Sequence, residues 1–121
     1  MITAKELNPH SYPTTPEQDA NLAILLERMN KVRAAYGKPM KVTSGLRSTA
    51  DQQRINPSAP KSKHLMGAAC DIADKDAALY NWCRANESLL AEIGLWMEER
   101  QGGWQHFQIF PPKSGRRFFN P

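Results

Sequence analysis

Ser62-Lys63-His64-Leu65-Met66-Gly67-Ala68-Ala69-Cys70-Asp71 sets an imidazole and a carboxylate seven positions apart, separated by a glycine and a run of small residues. On an ideal helix seven residues rise by roughly 10 Å, which is awkward for two side chains that must each reach one ion at about 2 Å. In a straight strand an odd separation sends them to opposite faces. The two groups meet only if the chain turns between them, and Gly67 permits a turn. Ala68, Ala69 and Cys70 then let the backbone approach its neighbours closely, so Ala69 to Ala73 reads as a central strand. Taken alone, the pair leaves two readings open. It is half of an ion site, or it is a solvated histidine beside Lys63 followed by an aspartate that caps a helix.

A third group bears on that choice. Gly102-Gly103-Trp104-Gln105-His106-Phe107-Gln108-Ile109-Phe110 alternates, and its aromatic and β-branched content predicts a strand. Phe107 and Ile109 would point to the core, while Trp104, His106 and Gln108 share the opposite face. Two histidines and one carboxylate form a three-ligand zinc set whose fourth position stays open, the arrangement of catalytic zinc sites.

These residues carry a resemblance. Ser-x-His-x-x-Gly-x-Ala-x-Asp at 62–71, followed by Trp-x-His at 104–106, resembles the zinc peptidases of the bacterial cell wall. These are the D-Ala-D-Ala carboxypeptidases and dipeptidases and the phage L-alanyl-D-glutamate endolysins, on the fold they share with hedgehog signalling domains. Ser44-Gly45-Leu46-Arg47-Ser48 is similar to the Ser-Gly-Tyr-Arg-Ser element of that family, with Leu46 at the usual aromatic position. The resemblance runs from about Val42 to Gln108. It implies that His64, Asp71 and His106 bind Zn2+, and that Arg47 and Ser62 hold a substrate carboxylate or carbonyl, with Trp104 beside them. An arginine at that place is suited to the task, because its planar fork grips a carboxylate with two parallel hydrogen bonds.

The chain departs from the family at the catalytic acid. Many members carry a glutamate three residues before the last histidine, where this sequence has Gly103. The nearest acids upstream are Glu98 and Glu99. A hairpin pairing Glu98 with Trp104 and Trp96 with His106 would put Glu98 on the face of His106, on the diagonal, and turn Glu99 away. Glu98 is therefore the expected general base.

Composition bounds the rest. A chain of 121 residues with 40% hydrophobic content predicts one compact domain over residues 1–121. No stretch approaches the length needed to span a bilayer, which excludes membrane insertion. The net charge of +4 is dispersed, and nothing matches a recognition helix or an aromatic ribonucleoprotein motif, so no nucleic-acid partner is expected. Cys70 and Cys83 are too few for a disulfide framework and are expected reduced and buried. Met1-Ile2-Thr3-Ala4-Lys5-Glu6 lacks the apolar core of a secretion signal. The expectation is a monomer made in the cytoplasm that reaches the wall by phage lysis or virion delivery.

In chain order, residues 1–14, with Pro9 and Pro13, predict an irregular arm with at most a short turn, in which His10 is a surface residue. Thr15-Pro16-Glu17-Gln18 is a helix start, with a capping box and proline in the first turn. Leu22, Leu25, Leu26, Met29, Val32 and Tyr36 then recur at helical spacing until Gly37 and Pro39. Met40 to Ser44 alternates as a strand, Ala50 to Ile55 predicts a short helix over the cleft with Asp51, Gln52 and Gln53 as undifferentiated candidates for substrate contact, and Asn56 to Lys61 predicts a loop. Asp74 predicts the N-cap of a helix from Lys75 to Ala85, followed by a helical segment from Glu87 to Ile93. Leu95-Trp96-Met97-Glu98 begins the hairpin, and the tail from Pro111 to Pro121 has no period, with Phe118 and Phe119 expected to tuck it against the body. The expected class is α+β: a small antiparallel sheet with helices packed on one face, of the hedgehog and D,D-peptidase kind.

The function that follows is zinc-dependent hydrolysis of a peptide bond in the stem peptide of peptidoglycan, by a phage or prophage lytic protein of carboxypeptidase or endopeptidase type. The alternative suggested by Gly103 is a module that keeps the zinc and binds wall or virion without cutting.

Overall fold

Thr15 opens the longest element. In the computed structural model, which describes residues 1–55, 62–100 and 102–120, the Thr15 side chain accepts from the Gln18 backbone N–H and the Gln18 side chain accepts from that of Thr15. The capping box satisfies donors that a helix start leaves free. Helix α2, Pro16–Tyr36, follows with Pro16 in its first turn. Leu25, Met29 and Val32 on it are fully buried, and Asn21 is the polar member of the same stripe.

The sheet has five strands in the order β1-β2-β4-β3-β5. Strand β1, Val42–Ser44, runs antiparallel to β2, Ala69–Ala73, and β2 antiparallel to β4, Trp104–Gln108. Strand β3, Trp96–Glu98, is antiparallel to β4. Strand β5, Phe118–Phe119, pairs with β3 in parallel. Cys70, Ile72, Met97 and Phe107 of the sheet share one buried cluster with Leu25, Met29 and Val32, with Leu79 and Cys83 of α4, Ala78–Ala85, and with Leu90 of α5, Glu87–Ile93. Both cysteines are free and buried. Strand alternation turns the intervening residues, Asp71, Glu98 and His106 among them, to the other face. Helix α3, Thr49–Ile55, follows β1 and brings Gln52 and Ile55 to the cleft on that side.

Several expectations need correction. The amino-terminal arm contains a one-turn helix, α1, Ala4–Leu7, closed by a Thr3–Glu6 capping box, with Ile2 and Leu7 buried. The strand expected from Met40 begins only at Val42 and is irregular, its register with β2 shifting between Val42 and Ser44. Helix α4 starts at Ala78 rather than Lys75. Asp74 still caps it, accepting from the backbone N–H of Leu79 and Tyr80 at 2.9 Å each across a turn in which Ala77 takes φ +62°. The tail, expected only to tuck in through Phe118 and Phe119, adds β5 there and makes the antiparallel sheet mixed at its edge. The expected loop from Asn56 to Lys61 lies outside the described residues.

Candidate metal centre and cleft

The chain reverses at Gly67, as the spacing requires. Ser62 Oγ accepts from the His64 backbone N–H at 3.2 Å and starts a 3-10 turn, Lys63–Met66. Gly67 closes it in the left-handed conformation, φ +70°, which a side chain would strain. Two amides of α2 hold the turn from outside. Gln18 Nε2 donates to the Leu65 carbonyl and Asn21 Nδ2 to that of Met66, each at 2.9 Å. His64 is thereby folded back over β2, where Asp71 stands directly opposite His106 of β4.

The result is a buried set of two imidazoles and a carboxylate. His64 Nε2 and His106 Nδ1 each lie 3.2 Å from Asp71 Oδ1. The three donor atoms fall within 4.8 Å of one another, and the residues are only 2%, 7% and 7% exposed. Burial works against the charged form of Asp71, but hydrogen bonds to His106 and His64 and the charges of both rings outweigh it and hold the carboxyl well below its usual range. Burial likewise lowers the His106 pKa, yet its bond to Asp71 and the nearby charge of Glu98 raise it overall. An N,N,O donor set suits zinc.

The surroundings of His64 fit an ion as well. Its Nδ1 lies 2.9 Å from the Gly45 carbonyl oxygen, which only accepts, so that nitrogen carries a proton and Nε2, 3.2 Å from Asp71 Oδ1, is the nitrogen that would face a metal. The loop after β1 holds Gly45 there because it presses on α1. Leu46 N–H donates to the Leu7 carbonyl at 2.7 Å, and a Cβ on Gly45 would stand 2.3 Å from that same oxygen. Among the described residues, His10, exposed beside Tyr12, takes no part.

Arg47 leaves the same loop with its fork engaged. Nε donates to Ser44 Oγ at 3.0 Å, Nη1 to Gln52 Oε1 at 2.8 Å, and Nη2 to Asp71 Oδ2 at 3.2 Å. Sequence alone suggested a substrate contact; the geometry adds a grip on Asp71. Ser62, beyond its capping bond, lines the cleft together with Arg47 and Lys63, and Trp104 lines it 42% exposed.

Glu98 faces the cleft, but the hairpin register differs from expectation. Trp96 pairs with Gln108 and Met97 with Phe107, so the continued ladder sets Glu98 opposite His106 rather than opposite Trp104. A shift of two residues preserves the face. Glu98 Oε2 comes to 3.8 Å from His106 Nε2. Glu99 turns to the other side, accepting from Tyr80 Oη at 2.9 Å and from Arg84 Nη1 at 3.0 Å. The Gly103 carbonyl accepts from the Asp74 N–H at 2.8 Å in the turn between the two strands.

The cleft above these residues measures about 1350 Å³. The sequence reading left three contributors without an assigned role. Gln108, on the same strand face as His106, lies 2.8 Å from its Nε2, and the alternation of β4 was the available signal. Gln52 was one of three polar candidates on α3 that spacing did not separate. Pro112, Lys113, Ser114, Phe119 and Asn120 bring the tail to the cleft wall, with the Phe119 ring edge-on to His106 at 6.4 Å. No periodic signal marks that segment.

A family model described as Peptidase M15 matches residues 2–101. The matched span includes Arg47, His64, Asp71 and Glu98 and stops short of Trp104 and His106, which the fold adds to the site. No curated protein and no solved structure gives a significant match. With most of its length matched, the chain belongs to the peptidase M15 family of metallopeptidases.

Proposed function

We propose that this chain hydrolyses a peptide bond in the stem peptide of bacterial peptidoglycan, as a zinc-dependent carboxypeptidase or endopeptidase of a phage or prophage lytic system. His64, Asp71 and His106 would hold the metal. A zinc ion there supplies Lewis acidity, polarising a carbonyl and acidifying water. Glu98 accepts a proton from the attacking water and returns it to the leaving amine. Arg47 keeps Asp71 oriented and, with Ser62 and Trp104, aligns the peptide in the cleft, so that binding becomes positioning. Lys63 and Lys113 line the same cleft and suit a substrate that bears carboxylates.

The observation that carries this reading is the carboxylate of Glu98 beside the buried His-Asp-His set, on an open cleft, in a chain whose family-typical acid position is Gly103. It favours an enzyme over a module that only binds. The test is an asymmetric pair, assayed as amino groups released from purified peptidoglycan by folded, zinc-loaded protein. Glu98→Gln should lower turnover about 10²-fold or more, the scale of lost acid–base assistance. Glu99→Gln, whose side chain is held by Tyr80 and Arg84, should stay near wild type. A dead Glu99→Gln beside an active Glu98→Gln would remove Glu98 from the chemistry.

A further inference from the structure

Gln108 is a neutral amide buried to 4% exposure on the strand that carries His106. Its two ends are fully engaged. Nε2 donates to the Phe110 carbonyl at 2.8 Å, and Oε1 lies 2.8 Å from His106 Nε2. A carbonyl only accepts, so the end of the amide facing Phe110 must be its NH2 group. The other end is then an oxygen, which also only accepts, and the ring nitrogen facing it must carry a proton. Reversing the amide would set two acceptors against each other at the Phe110 carbonyl. That carbonyl is itself well placed, since the preceding Ile109 N–H donates to the Ala68 carbonyl at 3.0 Å and Arg28 Nη1 donates to the Ile109 carbonyl at 3.2 Å. Glu98 Oε2, the other acceptor on this side of the ring, stands 3.8 Å away, beyond hydrogen-bond range.

From this chain of donors and acceptors we infer that Gln108 is a positioning residue, which keeps a proton on His106 Nε2 and so leaves Nδ1, 3.2 Å from Asp71 Oδ1, as the nitrogen that would face a metal beside Asp71 and His64. The inference rests on the metal-centre reading above and assigns to His106 what the Gly45 carbonyl does for His64. The two histidines are thus presented through different nitrogens, Nε2 of His64 and Nδ1 of His106, each selected by an acceptor on the far side of the ring. One acceptor is backbone and no substitution removes it. The other is a side chain, which makes this half of the site open to mutation.

The test titrates zinc into wild type, Gln108→Leu and Gln108→Glu in competition with a chromophoric chelator, alongside thermal unfolding of the metal-free proteins. Gln108→Leu removes the acceptor and should bind zinc about 10- to 100-fold more weakly, the usual cost of losing an outer-shell partner. Gln108→Glu keeps an oxygen for the Nε2 proton and should bind zinc more tightly than Gln108→Leu, although its second oxygen meets the Phe110 carbonyl where the amide NH2 stood. In zinc-loaded wild type, two-bond 1H–15N correlations should place the His106 proton on Nε2, a readout that stands even where Gln108→Leu does not fold. A proton on Nδ1, wild-type affinity in Gln108→Leu, or equal weakening in both variants would overturn this inference alone. Wild-type protein that binds no zinc would overturn the metal centre and this inference together.

Discussion

Arg47 illustrates what a residue type discloses and what it withholds. Its place after β1 announced a guanidinium near the site, but its partners come from five and twenty-four positions further along the chain. Three of its N–H groups already serve Ser44, Gln52 and Asp71. An ammonium cannot reproduce that fork. Arg47→Lys should therefore lower both turnover and zinc affinity, because Asp71 loses a fixed partner; equilibrium dialysis against zinc checks the second effect. Full zinc affinity with only a raised KM would assign the arginine to substrate alone. The three candidate ligands were legible because their chemistry is distinctive and because the seven-residue spacing demands a reversal at a glycine. Glu98 was legible by strand parity. Its register was not, since the pairing depends on the turn between β3 and β4, and a slip of two residues leaves the same side chains facing the cleft.

At the scale of elements, the site depends on the 3-10 turn being pinned to α2. Short 3-10 turns have weak internal bonds, so the last carbonyls of this one are satisfied by Gln18 and Asn21. Asn21→Ala would leave the Met66 carbonyl without its donor. The expected cost is about 1–3 kcal/mol, the range for an orphaned partly buried acceptor, seen as a lower denaturation midpoint in urea. An unchanged midpoint would show that the turn holds by its own bonds. Helix α2 could be read in advance from both ends, and Asn21 falls on its apolar stripe, four positions before Leu25. Other elements were hidden for physical reasons. Helix α1 is a single turn and β5 is two residues long, so neither offers a period. Asp74 was recognised as a cap, but an aspartate reaching across the turn at Ala77 looks in sequence like one standing directly before the helix.

For the molecule as a whole, the cleft is assembled from segments far apart in sequence: the loop after β1, α3, the 3-10 turn, the β3–β4 pair and the tail. The tail packs through contacts that go beyond the two phenylalanines expected to anchor it. The Met97 N–H donates to the Arg117 carbonyl and the Glu99 N–H to that of Phe119, while the Arg117 guanidinium lies 4.5 Å over the Trp96 ring. Nothing covalent holds this assembly among the described residues. Burial pushes the Cys83 thiol up to about 12 and raises that of Cys70, which keeps both neutral and unreactive at ordinary pH. No helix among the described residues is long and apolar enough to cross a membrane. What remains is a metallopeptidase whose candidate centre opens on a cleft, and the central proposal is that this centre acts upon wall peptides. The direct measurement is the release of amino groups from purified peptidoglycan by purified protein, first as loaded with zinc, then after a chelator, then after zinc is returned. Release, its loss on chelation and its recovery with zinc are the expected results; no release from the loaded protein, or release that ignores the chelator, would contradict zinc-dependent action on wall peptides.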